Sequence, residues 1–341
     1  MKKAVILNDT SFESHHGCET VVKNIKALLL QNGIQTIDTH PVGKPWVENK
    51  SFIANMSQAD IVIVNGEGTL HHSQPRAKDL ISVGQYVKEN LNIPVILINS
   101  TCQDNNNDII ESMRCYDLIF VRESLSQKEL AQYDIESTVV PDMSFYSKYD
   151  LSNKGVTGGI GITDSVYFDL SEKLFDLSLK EGYEFLPAKT NSKIRKHTFY
   201  ALFKYAKSNL FKAVRYPFYK LNLIKFKYKK IRKFYYINNY DSYVNKIASS
   251  KFMIIARYHS LCFSLKTLTP FLALKSNSHK IEGILSDVGI GSSRIVTASD
   301  IASTEFREFT SEEEANILNY INEAPKKIEG MFKVISGLIE K

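Results

Sequence analysis

The stretch Ser250–Lys280, SKFMIIARYHSLCFSLKTLTPFLALKSNSHK, decides how the rest of the chain is read. Phe252 to Ala256 is an unbroken apolar run, short enough to be a strand buried on both faces. It ends at Arg257, Tyr258, His259 and Ser260. There a helix begins, with Ser260 as its cap and Leu261, Leu265 and Leu268 on its apolar face. Thr269-Pro270 closes the helix and Phe271 to Leu274 reads as the next strand, followed by Lys275, Ser276, Asn277, His279 and Lys280. The pattern is a β-α-β unit with cations and hydrogen-bond donors at both strand ends. In open α/β sheets ligands bind at that edge.

The residue types at this edge select an anion. Arg257 can hold a phosphate or carboxylate bidentately, and Lys275 and Lys280 add point charges. The amino end of the helix contributes free N–H groups and a positive dipole end. His259 stands where these groups converge and can exchange a proton near neutral pH. The plainer reading has Arg257 and His259 satisfying carbonyls at a strand end.

At 341 residues the chain is long for one core and natural for two domains. The opening MKKAVILNDTS reads as a first strand and not as a signal peptide, and no stretch is long enough to span a bilayer. Cys18, Cys102, Cys115 and Cys262 show neither metal-ligand spacing nor a disulfide framework, which predicts a reduced, cytosolic chain.

Over residues 1–150 apolar runs alternate with amphipathic segments. Strands are predicted at Ala4–Leu7, Ile34–Asp38, Ile61–Val64, Val95–Asn99, Leu118–Val121 and Thr138–Val140. Helices are predicted at Glu19–Gln31, Trp46–Gln58, Ala77–Asn90, Asp108–Cys115 and Ser124–Tyr133. Strands separated by helices imply a parallel, Rossmann-like sheet. No G-x-G-x-x-G follows the first strand, so the dinucleotide fingerprint is absent.

The strand ends are polar instead. Thr10, Ser11, His15, His16, Gly17, Cys18 and Glu19 follow the first. Asn65-Gly66-Glu67-Gly68-Thr69-Leu70-His71-His72 follows the third, where two glycines permit close approach to a ligand and backbone N–H groups can bind an oxyanion. Glu67 is a candidate base or hydroxyl-orienting group. Later strands end in Asn99-Ser100-Thr101, Arg122-Glu123-Ser124 and Pro141-Asp142. Ser124 reads as a helix cap, and His71 and His72 as loop histidines without metal.

A polar boundary over Tyr146 to Gly155 opens a second domain, residues 151–310, with a glycine-rich strand start at Gly158 to Thr163. Residues 187–240 read as an insertion in it. Between Phe185 and Tyr240 stand fifteen Lys or Arg and fifteen Phe or Tyr, with no Asp or Glu. The chain has 43 basic and 37 acidic residues, so outside this window 28 cations face 37 acids and the basic balance is local. Cations interleaved with rings at helical intervals, with Leu, Ile and Val beside them, predict an anionic membrane surface over residues 193–236. Nucleic acid would also accept this mixture but is not the expected partner. Residues 311–341 read as two helices, or one kinked at Pro325, packing back across the domains.

Two motifs carry a family resemblance. Arg257-Tyr258-His259-Ser260 with the following helix, Pro270 and Lys275 to Lys280 resembles the carboxyl-terminal motif of the polysaccharide pyruvyl transferases. Asn65-Gly66-Glu67-Gly68-Thr69-Leu70 resembles that family's glycine loop, and Arg122-Glu123-Ser124 and Pro141-Asp142 follow in the expected order. The resemblance implies two Rossmann-like domains in a GT-B-like arrangement and transfer of an enolpyruvyl-derived group from phosphoenolpyruvate to a glycan or lipid-linked oligosaccharide. In that frame His259, Glu67 and Arg257 carry the chemistry. Arg257, Ser260, Lys275, Ser276, Asn277 and Lys280 bind the donor, while Thr10, His16, Gly17, Asn65, Gly66, Gly68, Thr69 and Arg122 face the acceptor. No cofactor or metal is called for, since Arg, Lys and a helix terminus neutralise a phosphate unaided. A capsule or lipopolysaccharide enzyme on the cytosolic membrane face is the expectation. The alternatives are a glycosyltransferase using a nucleotide-activated sugar, and a nonenzymatic binder of RNA or lipid.

Overall fold

The computed structural model describes residues 1–155, 157–190 and 228–339, together with Leu210 and Val214. Of the basic-aromatic segment 193–236, all but Leu210, Val214 and residues 228–236 therefore lies outside the described residues.

Two parallel sheets carry the fold. The first holds β1 (Lys2–Asp9), β2 (Ile34–Pro41), β3 (Ile61–Glu67), β4 (Val95–Ser100), β5 (Leu118–Val121) and β6 (Thr138–Val139), in the order β2-β1-β3-β4-β5-β6. Its helices are α1 (His16–Gln31), α2 (Lys50–Met56), α3 (Pro75–Ile81), α4 (Val83–Asn90), α5 (Asn107–Met113) and α6 (Ser124–Ala131). The second sheet runs β8-β7-β9-β10-β11, from β7 (Ile160–Ser165), β8 (Glu184–Phe185), β9 (Phe252–Ala256), β10 (Phe271–Leu274) and β11 (Ile295–Val296). With it go α7 (Phe168–Glu181), the short α8 (Tyr228–Ile231), α9 (Tyr240–Ser249), α10 (Tyr258–Lys266), α11 (Lys280–Val288) and the long α12 (Ser311–Ile339). β3, β4 and β9 are buried along their whole length, which is why they read as continuous apolar runs.

In both sheets the strand order reverses once, between β1 and β3 and between β7 and β9. A crevice opens at such points, beyond the carboxyl ends of the strands. The largest core cluster joins the sheets: Ile6 and Val21 of the first pack in it with Ile255 and Phe263 of the second and with Ile328 and Phe332 of α12. Backbone hydrogen bonds add a stitch at the crevice, from His16 N to Ala188 O at 3.2 Å and Thr190 N to Ser14 O at 2.8 Å.

Five local expectations are corrected. α1 begins at His16 instead of Glu19, because its extra turn is packed against the second sheet. The helix expected over Ala77–Asn90 is two, broken at Ser82, whose hydroxyl bonds the Asp79 carbonyl at 2.8 Å. Ser260 does not cap α10: Arg257 precedes the helix, and Ser260 Oγ lies 2.8 Å from Tyr243 Oη. Nor does Ser124 cap α6: Glu123 does, accepting from Ser126 N at 3.0 Å. α12 is one helix of 29 residues with the buried Pro325 inside it, held by its buried stripe of Ile317, Ala324, Ile328 and Ile335.

The start of α12 is pinned electrostatically. Fully buried Arg294 donates to Glu313 at 3.0 and 2.8 Å, and Arg307 donates to both of its oxygens at 2.9 Å. Burial alone would raise the Glu313 carboxyl, but these hydrogen bonds override it and hold it at about 2. A depressed carboxylate contributes stability above its unfolded value of about 4.3 that is lost as pH falls through the folded one. Glu313→Ala should therefore cost about 3–5 kcal/mol in urea unfolding at pH 7, since it leaves Arg294 buried and unpaired. The variant's stability should also fall less than the native chain's between pH 4.5 and 2.

Candidate active site

Strain marks the first crevice. Asn8, Glu67 and Asn99, at the ends of β1, β3 and β4, take left-handed backbone angles (φ 63°, 41° and 56°) that non-glycine residues rarely hold. Side-chain bonds lock them there. Asn8 Nδ2 donates to the Asn65 carbonyl at 2.6 Å, and Asn99 Nδ2 to Asn65 Oδ1 at 3.3 Å.

Glu67 is the best-held group at this edge. Its carboxylate accepts from Thr10 Oγ1, from Asn65 Nδ2 at 3.2 Å and from Cys18 Sγ at 3.4 Å. The glycines beside it have distinct tasks. A side chain at Gly66 would sit 2.5 Å from the Ser100 side chain, so only glycine lets β3 and β4 close up. A Cβ on Gly68 would stand 3.4 Å from Lys280 Nζ and 3.5 Å from an Arg122 terminal nitrogen, which puts two cations at the mouth of the loop.

The second sheet delivers its groups from β7, β9 and α10. Arg257, at the end of β9, donates to Asp164 Oδ2 at 2.6 Å across the β7–β9 crevice, and Asp164 Oδ1 accepts from Ala188 N at 2.9 Å. His259 lies in the first turn of α10 against the first turn of α1, so tightly that a Cβ at Gly17 would fall 2.1 Å from its ring. Its Nε2 is 3.7 Å from Asp142 Oδ1. The other Asp142 oxygen accepts from Arg122 at 3.1 Å, while Arg122 also donates to Thr101 Oγ1 at 2.8 Å and lies 4.1 Å over the Tyr258 ring. Burial disfavours the Asp142 charge, yet His259 and Arg122 hold the carboxyl well below the usual range.

Lys280 completes the set from the start of α11, its Nζ 2.5 Å from Asn277 Oδ1. Burial, reinforced by the charges of Arg122 and Arg257, pulls its ammonium down to about 7. An arriving anion would reverse that pressure. A metal could draw on His15, Cys18 and His259, whose ligand atoms lie within 4.8 Å of one another. Burial and the nearby Arg257 keep the His15 imidazole neutral, while burial and Glu67 push the Cys18 thiol up.

Thr10, Gly17, Asn65, Gly66, Glu67, Gly68 and Arg122 thus converge with Arg257, His259, Asn277 and Lys280 where the two crevices meet. Other expected residues do different work. Lys275 is the most open of them: its side chain is 72% exposed and pairs with Glu282 at 3.4 Å. His16 stacks on Tyr243, ring centroids 4.3 Å apart, as a packing residue between the sheets. Ser260 is tied to Tyr243, Ser276 bonds Asn277 at 3.2 Å, and Thr69 accepts from Asn8 at 3.3 Å. Asp142, Cys18 and Tyr258, which the sequence shows at strand ends without a role, gain one here, and Asp164 joins them unannounced. Asp164 ends β7 inside Thr163-Asp164-Ser165, a polar strand end of the same kind as the others.

Comparison with known proteins agrees with this architecture. A family model described as polysaccharide pyruvyl transferase matches residues 9–278. No curated protein matches the chain. The UDP-GlcNAc 2-epimerase of Methanocaldococcus jannaschii, solved with UDP-GlcNAc and UDP, is 11% identical with a TM-score of 0.51, over 94% of this chain and 99% of that one. The UDP-GlcNAc 2-epimerase of Neisseria meningitidis bound to UDP-GlcNAc has the same identity and TM-score over 100% of both chains. These likenesses establish the fold, two Rossmann-like domains in a GT-B-like arrangement.

The Lys280 environment makes a sign-definite prediction. Below about pH 7 the lysine is charged, so sulfate, whose own charge is constant there, should bind roughly tenfold tighter at pH 6 than at pH 8.5. Calorimetric titration of Lys280→Met should lose most of that difference; a variant retaining all of it would clear the lysine of the effect.

Proposed function

The chain belongs to the polysaccharide pyruvyl transferase family, and on that premise we propose that it moves an enolpyruvyl-derived group from phosphoenolpyruvate onto hydroxyls of a cell-surface glycan or lipid-linked oligosaccharide. As a member of the family it is a polysaccharide-modifying transferase. The observation that carries the finer reading is the meeting of Arg257, His259 and Lys280 with Glu67 across two strand-order reversals. Phosphoenolpyruvate has two anionic groups and a carbon that must be protonated, and this set offers two cations and an imidazole.

The chemistry then divides among the residues. Arg257 and Lys280 hold the phosphate and carboxylate. One acceptor hydroxyl adds to the enol C2 as a proton from His259 goes to C3. Phosphate leaves as the second hydroxyl closes the ketal at the same carbon. Glu67, oriented by Thr10 and Asn65, receives or aligns the hydroxyl proton, and the ionised Asp142 stabilises His259 when it carries charge. Arg257 enters this arrangement already paired with Asp164, so its free guanidinium edge is the part left for the donor.

Inorganic phosphate release from phosphoenolpyruvate, assayed with glycan acceptor fractions, tests the reading. His259→Asn should lower kcat by about 10²–10⁴. Absence of release with every acceptor fraction would remove the pyruvyl donor. Thermal stabilisation by a nucleoside diphosphate or cytidine monophosphate, without any by phosphoenolpyruvate, would move the assignment to a nucleotide sugar.

The basic-aromatic segment is assigned to the cytosolic membrane face, where a lipid-linked acceptor would lie. No helix among the described residues is long and apolar enough to cross a membrane. Anionic liposomes should carry the protein in flotation at low salt, and should lose it when Lys225, Lys227, Lys229, Lys230 and Lys233 become Glu. Unchanged flotation would assign the segment to another partner.

A further inference from the structure

A second concavity lies at the carboxyl edge of the first sheet. It is a cavity of about 220 Å³ between the ends of β1 and β2, the turn before Trp46 and the start of α3. Asn8 and Thr69 form part of its wall, and Thr69 directly follows Gly68, the residue faced by Lys280. The cavity and the Glu67 cluster therefore share one loop as a partition.

Its lining is of two kinds. Trp46, Pro41, Pro45 and Pro75 offer flat or rigid apolar surface, while Arg76 and Lys44 offer positive charge and Asp79 negative. Trp46 is fixed in place: its Nε1 donates to the Asp79 carbonyl at 3.0 Å and to Ser82 Oγ at 3.2 Å, and its ring meets Tyr86 edge-on at 5.1 Å. Arg76 lies across Gly43, its Cζ 3.6 Å from where a Cβ there would stand. The left-handed backbone of Gly43 (φ 73°) and the absence of a side chain both permit that approach. Among the described residues neither Arg76 nor Asp79 takes part in an ion pair. Glu13, beside the Glu67 cluster, feels the charge of Arg76 as well as that of Glu67, so Arg76 stands in electrostatic range of the site.

A carboxylate that accepts, a guanidinium that donates and an apolar wall between them suit a ring with hydroxyls on its rim and C–H groups on its face. The volume falls below the roughly 300–1,000 Å³ of pockets for drug-sized ligands, which leaves room for one sugar ring and none for a nucleotide. Two cations, Arg76 and Lys44, line it against the one Asp79 carboxylate, so a carboxylated ring is admitted as well as a neutral one. We propose that this cavity is an acceptor subsite holding one monosaccharide unit, neutral or carboxylated, the neighbour of the unit whose hydroxyls react. The role as acceptor subsite rests on the transfer reaction proposed above; the sugar binding itself does not.

Saturation-transfer NMR on the full chain, with methyl glycosides of neutral hexoses, N-acetylhexosamines and hexuronic acids as probes, tests it. At least one glycoside should receive saturation. That signal should drop at least fivefold in Arg76→Ala and in Asp79→Asn, both with unchanged thermal midpoints, and persist in Arg257→Ala. Silence from every glycoside, or a signal that survives both substitutions, overturns the subsite. Phosphoenolpyruvate binding, measured on the same samples, separates the two ideas. Sugar binding without it supports the subsite and strikes the donor assignment; donor binding with no sugar signal overturns the subsite alone.

Discussion

One buried carboxylate is shared between the two halves of this molecule. Asp142, fully buried, follows β6 of the first sheet, accepts from Arg122 of that same sheet and faces His259 of α10 in the second. Removing one partner from such a group costs about 3–5 kcal/mol, because a charge is left in a medium that cannot solvate it. The two halves are therefore held in one relation by electrostatics as well as by the apolar core between them. That relation presses His259 onto Gly17, sets Arg122 over Tyr258 and brings Lys280 to the mouth of the Glu67 loop.

The charges around that site are graded. Asp142 and Asp164 compensate Arg122 and Arg257, while Lys280 sits among cations with its ammonium weakened to about 7. A cleft built in this way holds cationic potential without a compensating carboxylate on every member. Desolvated charge of this kind is a store that a phosphorylated ligand relieves. The strained backbones of Asn8, Glu67 and Asn99 surround the same place, and the hydrogen bonds that hold them define the geometry of the Glu67 carboxylate. The cavity at Trp46 adjoins that edge through the loop of Gly68 and Thr69.

Much of this was legible in the residues. Buried strands declare themselves as apolar runs, and the residues that end them are polar when an edge is used, so Arg257, His259, Glu67 and Asn65 could be picked out without coordinates. Asp164 ends its strand in the same manner, but Gly158, Gly159 and Gly161 before it are the stronger local signal. The α1 start is not legible in the sequence because His16 and Gly17 are indifferent helix formers that become helical through contact with Tyr243 and His259, more than 200 residues away in the chain.

Local pattern by itself determined the parallel α/β class, the order of elements and the edge at which polar groups gather, because strand burial and helix periodicity are properties of short segments. Tertiary structure alone decided the partners: that Lys280 turns inward while Lys275 faces solvent, that Arg257 meets Asp164, and that Asp142 serves both sheets. The Asp164 and Asp142 pairings across the sheets join residues roughly a hundred positions apart. Side-chain direction at a strand end depends on what packs opposite, which no window of neighbouring residues contains.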